Sequence, residues 1–225
     1  MERYDKKERH SNSDKELEQP AAPDAAQIPS ALRAWGWTEE WEQKAHDALE
    51  ARVAGAGGLT DSLVPARVIQ HVHHTYELVV APTAECVTAE VTGAFAYRVA
   101  TPAEYPTVGD WVLMDPEGRR IHTVLPRRTA IRPSAAGNET LEQVITANTD
   151  ILFLVFGLDG GRNFTVGLLE RSLVTAWNSG SRPLVVLNKA DCAAPEAIES
   201  ARLEAEWESP HCLTRLWAEV RHRLG

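Results

Sequence analysis

Apolar positions along the 225-residue chain follow three different rhythms. Residues 1–30 show no period. Charges alternate there with Ser, Asn, Pro and Ala, so little apolar surface is available to offset ordering, and a disordered tail is expected. From Leu32 the pattern turns helical. Trp35, Gly36 and Trp37 lead to Thr38, a residue type that caps helices, and Glu39 and Glu40 fall in the first turn, where the helix dipole favours acids. The helix is expected to run to about Arg52 and stop in the glycine-rich stretch from Gly55 to Gly58, so that residues 31–60 form an entry helix and linker.

Residues 61–132 read as strands. Ala66 to Val72 and Tyr76 to Val80 are β-rich, and Cys86 to Val99 is a long strand that bends at Gly93. Gly109 to Met114 and Arg120 to Leu125 follow, joined by a turn at Asp115-Pro116-Glu117-Gly118. Five short strands with no long helix between them predict a small all-β OB-fold barrel. After Gly137 the rhythm changes again. Asp150 to Phe156 is an unbroken apolar run, expected of a parallel strand buried on both faces. A helix of about fourteen residues follows, with Val166, Leu169, Leu173 and Trp177 on one stripe. Leu184 to Leu187 completes a strand–helix–strand crossover. Pro195 opens another helix, Pro210 breaks it, and Leu213, Leu216, Trp217, Val220 and Leu224 form a last amphipathic stripe. Residues 137–225 therefore predict an incomplete α/β domain with two parallel strands.

Composition narrows the function classes. No apolar run approaches the 18 or so residues of a membrane span, and the first thirty residues lack the apolar stretch of a signal peptide. Cys86, Cys192 and Cys212 stand far apart, which suits a reducing cytoplasm and gives neither a disulfide framework nor a zinc knuckle. The net charge of −9 divides unevenly, as −4 over residues 1–60, −1 over 61–135 and −4 over 136–225. In the nearly neutral middle, Arg119, Arg120, Arg127, Arg128 and Arg132 cluster without an acid among them. Screening limits each charge to about 8 Å at physiological salt, so such a patch can hold RNA phosphates whatever the global sign.

The second candidate chemistry is Asn188-Lys189-Ala190-Asp191, directly after the second buried strand. N-K-x-D suits guanine. The base presents N1–H and an N2 amine side by side, and the Asp191 carboxylate can accept from both. Adenine has an acceptor at N1 and no N2 amine, so it would leave the carboxylate desolvated and unpaired. The stem of Lys189 can lie along the base plane, and the Asn188 amide can tie the loop together. Four matching residues in an arbitrary loop carry little weight. The tip of a parallel strand, where open α/β sheets bind ligands, is the place such a motif requires.

Several longer segments resemble one family. Pro106-Thr107-Val108-Gly109-Asp110-Trp111-Val112 resembles the P-x-VGDWV strand of the ribosome small-subunit-dependent GTPases (RsgA, also YjeQ or EngC), and Leu125-Pro126-Arg127-Arg128-Thr129 resembles their LPRRT segment. Gln143 to Asp150 resembles their QVIAANVD entry to the GTPase domain, and Leu169-Glu170-Arg171 followed by Asn188 to Asp191 continues the match. The resemblance implies an OB-fold that contacts ribosomal RNA, then a circularly permuted P-loop GTPase domain, with GTP and magnesium as ligands and the small ribosomal subunit as partner. It also implies a phosphate loop and a zinc-binding domain. Neither pattern occurs here: no Gly-Lys pair exists, and Asp115 to Gly118 fits D-x-x-G only as a turn between strands. The chain is accordingly expected to stop short of the P-loop, to be monomeric, to lack the family's zinc site, and to be inactive alone. A non-catalytic RNA- or ribosome-binding OB module is the competing reading.

Other residues weigh less. His71, His73 and His74 have no third metal ligand at a fixed spacing, so no metal site is expected. Trp111 and Tyr97 are expected in the barrel core rather than stacked on bases, and Trp35, Trp37 and Trp41 in the packing of the entry helix.

Overall fold

Five strands whose side chains alternate between two apolar environments close the first unit into a barrel. The structure, a computed structural model, describes residues 30–55, 63–132, 143–160, 163–208 and 213–216; the expected tail and the glycines at 57–58 lie outside them. A short α1 (Ser30–Arg33) and α2 (Glu39–Gly55) precede β1 (Val64–Val72), β2 (Thr75–Val80), β3 (Glu85–Val91), α3 (Gly93–Arg98), β4 (Trp111–Asp115) and β5 (Arg120–Val124). The closed order is β1-β2-β3-β5-β4, with β3 and β5 parallel and every other pair antiparallel. This is the five-stranded barrel that the strand pattern predicted. Ala66, Val68, Tyr76, Leu78, Val112, Met114 and Ile121 pack together on one side of the strands.

Trp111 and Leu113 alternate with Val112 and Met114 and therefore face the other way. They are nonetheless fully buried, because α2 and its approach cover them with Trp37 and Trp41. The Trp37 ring meets Trp111 edge-on at 4.7 Å, a geometry worth about 0.5–1.5 kcal/mol beyond its buried area. Trp111 is thus buried as expected, but beneath a helix and not inside the barrel.

One expected strand is not continuous. β3 stops at Val91, and the Thr92 hydroxyl accepts from the Phe95 amide at 3.1 Å, capping α3. Only Phe95 of this helix is buried, so Tyr97 stands 92% exposed. The core position expected for Tyr97 is corrected accordingly.

β6 (Ala130–Ile131) and β7 (Thr146–Ala147) form a small antiparallel pair between the two units. Beyond them run β8 (Ile151–Gly157), α4 (Val166–Ser179), β9 (Arg182–Asn188), α5 (Pro195–Glu208) and β10 (Leu213–Leu216). The sheet order is β8-β9-β10 and all three strands are parallel. Leu213 to Leu216 is therefore a third strand, not the start of a closing helix. Pairing with β9 satisfies its backbone, which a four-residue apolar pattern cannot foretell.

Leu169 and Leu173 of α4 and Ala201 and Ala205 of α5 share one core with Leu154, Phe156, Val185 and Leu187, so both helices cover the same sheet face. Strands added in one direction by crossovers of one hand give this result. Ile151, Phe153 and Val155 on the opposite face of β8 are 38%, 63% and 59% exposed, which corrects the expectation of burial on both faces. α4 begins at a Thr165 cap and ends at Gly180 in the left-handed region. Its buried stripe is Leu169, Leu173 and Ala176, leaving Trp177 at 52% exposure.

Candidate functional site

β9 ends at Asn188, so the tetrapeptide Asn188 to Asp191 occupies the carboxyl edge of the parallel sheet. The Asn188 side-chain oxygen accepts from the Lys189 amide at 2.8 Å, and its backbone oxygen accepts from the Leu158 amide at 2.9 Å, which binds this tip to the end of β8. Lys189 adopts a left-handed conformation (φ 57°) that turns the chain into a 3₁₀ turn at Ala190–Cys192. The Lys189 ammonium reaches Asp159 Oδ2 at 2.5 Å, and Asn163 Nδ2 donates to Asp159 Oδ1 at 2.9 Å. Hydrogen bonds from Lys189 first and Asn163 second hold the Asp159 carboxyl down at about 2. Asp191 is exposed, and its Oδ2 is 3.8 Å from the Cys192 thiol. From sequence, Asp159 with Gly160 and Gly161 reads only as a loop. Its signal is positional: it lies two residues beyond β8, and adjacent parallel strands bring their tips together.

The five arginines do not form one surface. Arg127 turns inward and grips Asp110 with two bonds, Nε to Oδ1 at 2.8 Å and Nη2 to Oδ2 at 2.7 Å; Asp110 is fully buried. The same guanidinium donates to the carbonyls of Ala103 and Tyr105 at 2.5 and 2.8 Å. With these bonds directed inside the protein, Arg127 is removed from the expected RNA-contact set. Burial pushes the Asp110 carboxyl up, against the pull of Arg127 and the Thr107 amide. Arg128 lies over the Trp41 ring at 5.2 Å and pairs with Asp150 at 3.3 Å and Glu40 at 3.6 Å. Arg120 pairs with Glu90, and the Glu117 amide bonds Asp115 Oδ1 at 3.0 Å, so Asp115 to Gly118 is a strand-to-strand turn. Arg119 and Arg132 are exposed, with no ion pair among the described residues.

Asn148, 3% exposed, locks the barrel to the α/β unit. Its side-chain oxygen accepts from the Arg128 amide at 2.9 Å and its Nδ2 donates to the Gly109 carbonyl at 3.0 Å. Arg67 adds bonds to the carbonyls of Trp35 at 2.6 Å and Asn148 at 3.4 Å.

His122 is the extra residue of a bulge, since Leu113 pairs with Thr123 and Met114 with Ile121. Arg52 Nη2 stands 3.3 Å from His122 Nδ1, and a guanidinium has no acceptor, so Nδ1 must accept and the ring is neutral. Burial first, then the charge of Arg52, holds this imidazole below its ordinary range; Arg98 adds to the effect and Asp115 opposes it. The folded ring binds a proton less readily than the unfolded one. Its contribution to stability is therefore complete above about pH 6.5 and lost as pH falls through the lower folded value. Urea unfolding from about pH 8 to about pH 5 should show a steeper acid loss for the wild type than for His122→Gln. Equal slopes would mean that the ring is not held neutral.

The His71 ring stacks on Tyr76 at 4.5 Å, and its Nε2 lies 2.7 Å from the His73 carbonyl oxygen. Among the described residues the one cluster of three candidate metal ligands is His46, Asp47 and Glu50, all exposed on α2.

Comparison with known proteins agrees with this architecture. Residues 124–216 match the model of the RsgA GTPase family. The "small ribosomal subunit biogenesis GTPase RsgA" of Opitutus terrae is 40% identical over 144 residues, 59% of this chain and 38% of that protein. The protein of the same description from Xanthomonas axonopodis pv. citri is 40% identical over 158 residues, 70% of this chain and 40% of that protein. The matched stretches span about 40% of the length of these curated relatives. Among solved structures, YjeQ from Thermotoga maritima aligns with a TM-score of 0.54 at 19% identity, covering 69% of this chain and 52% of that one. YloQ, described as a circularly permuted GTPase, aligns over the same shares at 0.50. At that identity the likeness establishes the fold.

Proposed function

We propose that this chain, similar in sequence to the RsgA GTPases, serves late maturation of the small ribosomal subunit, reading ribosomal RNA with its barrel and guanine nucleotide with Asn188, Lys189, Ala190 and Asp191. The observation that carries the reading is the position of Asn188 to Asp191 at the carboxyl edge of β9, with the Asp191 carboxylate exposed and Lys189 braced by Asp159. That edge is where a base would meet the motif in an open α/β sheet. For RNA, Arg119, Arg120, Arg128 and Arg132 remain the phosphate-contact candidates, Arg119 and Arg132 foremost because they are exposed and without an ion pair among the described residues.

Phosphoryl transfer needs a backbone cradle, its Lys and a Ser/Thr on magnesium. No Gly-Lys pair occurs in the 225 residues. This polypeptide alone is therefore expected to show no magnesium-dependent GTP turnover. That same feature favours the second reading, a non-catalytic ribosome-binding module acting in the cytoplasm.

Nucleotide binding separates the two. With fluorescent GDP, ADP and XDP as probes, Asp191→Asn should weaken guanine binding roughly a hundredfold, about 2.7 kcal/mol, and improve xanthine binding, because xanthine offers a carbonyl where guanine has its amine. Unchanged guanine affinity in the variant would remove the base-recognition role. On the RNA side, Arg119→Ala with Arg132→Ala should lower the slope of log affinity for small subunits against log salt by about 0.7–0.9 per lost contact.

A further inference from the structure

A cleft of 590 Å³ opens between α3, the 3₁₀ turn at Pro102–Glu104 and the chain leaving β5. Its size falls within the roughly 300–1,000 Å³ of small-ligand sites. Phe95, Val99 and Leu125 give it an apolar wall, and Arg98, Arg127 and Arg132 line it with cations. Arg98 is oriented in advance, with Nε donating to the Ala94 carbonyl at 3.3 Å and Nη2 to the His122 carbonyl at 3.2 Å. The bulge at His122 explains the second bond, because it releases that carbonyl from the strand ladder. Arg127 also lines the cleft, but four of its five N–H donors are bonded inside the protein. The one carboxylate among the lining residues, Glu104, accepts from the Thr101 hydroxyl at 3.0 Å.

An apolar wall beside fixed guanidinium donors is what a nucleotide unit requires, the wall meeting sugar or base and the guanidinium meeting phosphate. Next to Arg98 in the chain stands Tyr97, 92% exposed and doing no packing that would account for its ring. Tyr97 does not line the cleft, but an exposed aromatic next to a groove-lining cation offers a stacking platform to a base that follows the strand out of it.

We propose that this cleft holds a single-stranded segment of RNA, one phosphate lying against Arg98 and Arg132 and an adjacent base on Tyr97. The inference rests on the RNA-binding reading above and adds a contact surface apart from the β4–β5 turn that carries Arg119, which does not line the cleft.

Fluorescence anisotropy of a short labelled oligouridylate with the full chain tests it. Tyr97→Ala should weaken binding roughly tenfold and leave the salt slope unchanged, while Tyr97→Phe keeps the affinity. Arg98→Ala should lower the slope by about 0.7, the value for one contact on a single strand. Should Arg98→Ala disturb the fold, Thr101→Glu places a negative charge on the exposed rim and is expected to weaken binding with an unchanged melting temperature. Wild-type affinity in Tyr97→Ala and Thr101→Glu, with loss in Arg119→Ala, would overturn the cleft and spare the RNA reading. Absence of oligonucleotide binding by the wild type would end both. Displacement of the probe by inorganic phosphate as effectively as by unlabelled RNA phosphate would make the cleft a free-phosphate site and overturn the RNA assignment.

Discussion

Replacing Arg127 by alanine is expected to destabilise the barrel by about 3–5 kcal/mol, because it strands a buried carboxylate. Asp110 is fully buried and receives two bonds from Arg127 and one from the Thr107 amide at 2.8 Å. Burial already pushes this carboxyl up, so its charged form depends on the guanidinium. The substitution also removes the donors to the Ala103 and Tyr105 carbonyls, which pin the chain between α3 and β4. Arg127→Lys should recover only part of the loss, since an ammonium cannot make the two parallel bonds. Urea unfolding followed by tryptophan fluorescence reads the change directly, Trp111 being the residue after Asp110 and the first of β4. A loss under about 1 kcal/mol would mean that the pair is not a structural clamp. The experiment also guards the RNA question: weakened RNA binding in Arg127→Ala would report a loosened barrel rather than a lost phosphate contact.

Gly109→Ala should cost a comparable 3–5 kcal/mol, through the joint between the units. Gly109 has φ +90°, and a Cβ there would stand 2.1 Å from the Ala147 carbonyl oxygen and 3.1 Å from its carbon. The left-handed backbone alone costs a non-glycine residue about 1–2 kcal/mol. The obstacle is backbone, so no side-chain rotation relieves it. Either β7 or the turn before β4 must move. That movement breaks the bond from Asn148 Nδ2 to the Gly109 carbonyl at 3.0 Å and strains the one from the Ala147 amide to the Val108 carbonyl at 2.9 Å. Losing such buried bonds adds about 1–3 kcal/mol each. Hydrogen exchange should show faster opening at Ala147 and Asn148 in the variant, together with a lower melting temperature. Wild-type protection at those two amides would disprove the tight joint.

Much of the fold was legible because its cues are local. The five strands of residues 61–132 are short and β-rich, the β4–β5 turn carries Asp, Pro and Gly, and the barrel follows. The acidic first turn of α2, the length of α4 and the location of Asn188 to Asp191 after a buried strand were readable in the same way. The misreadings share one cause. Cys86 to Val99 looks like a strand throughout until Thr92 caps a helix, and Leu213 to Leu216 is too short to reveal its period. Both depend on which partner the backbone finds.

What residue order alone determined is the set of elements and the chemistry within single segments: strand alternation, helix ends, the N-K-x-D tetrapeptide and the count of arginines. Only the tertiary structure decided what each charge faces. Arg127 and Arg128 are neighbours in the chain, yet one is locked on buried Asp110 and the other rests on Trp41 and pairs at the surface. Asp159 and Lys189 are thirty residues apart and meet because parallel strands align their tips. The reason is electrostatic. A guanidinium's role is set by the dielectric and the acceptors around it, and those come from segments distant in sequence that only the closed barrel and the crossover bring together.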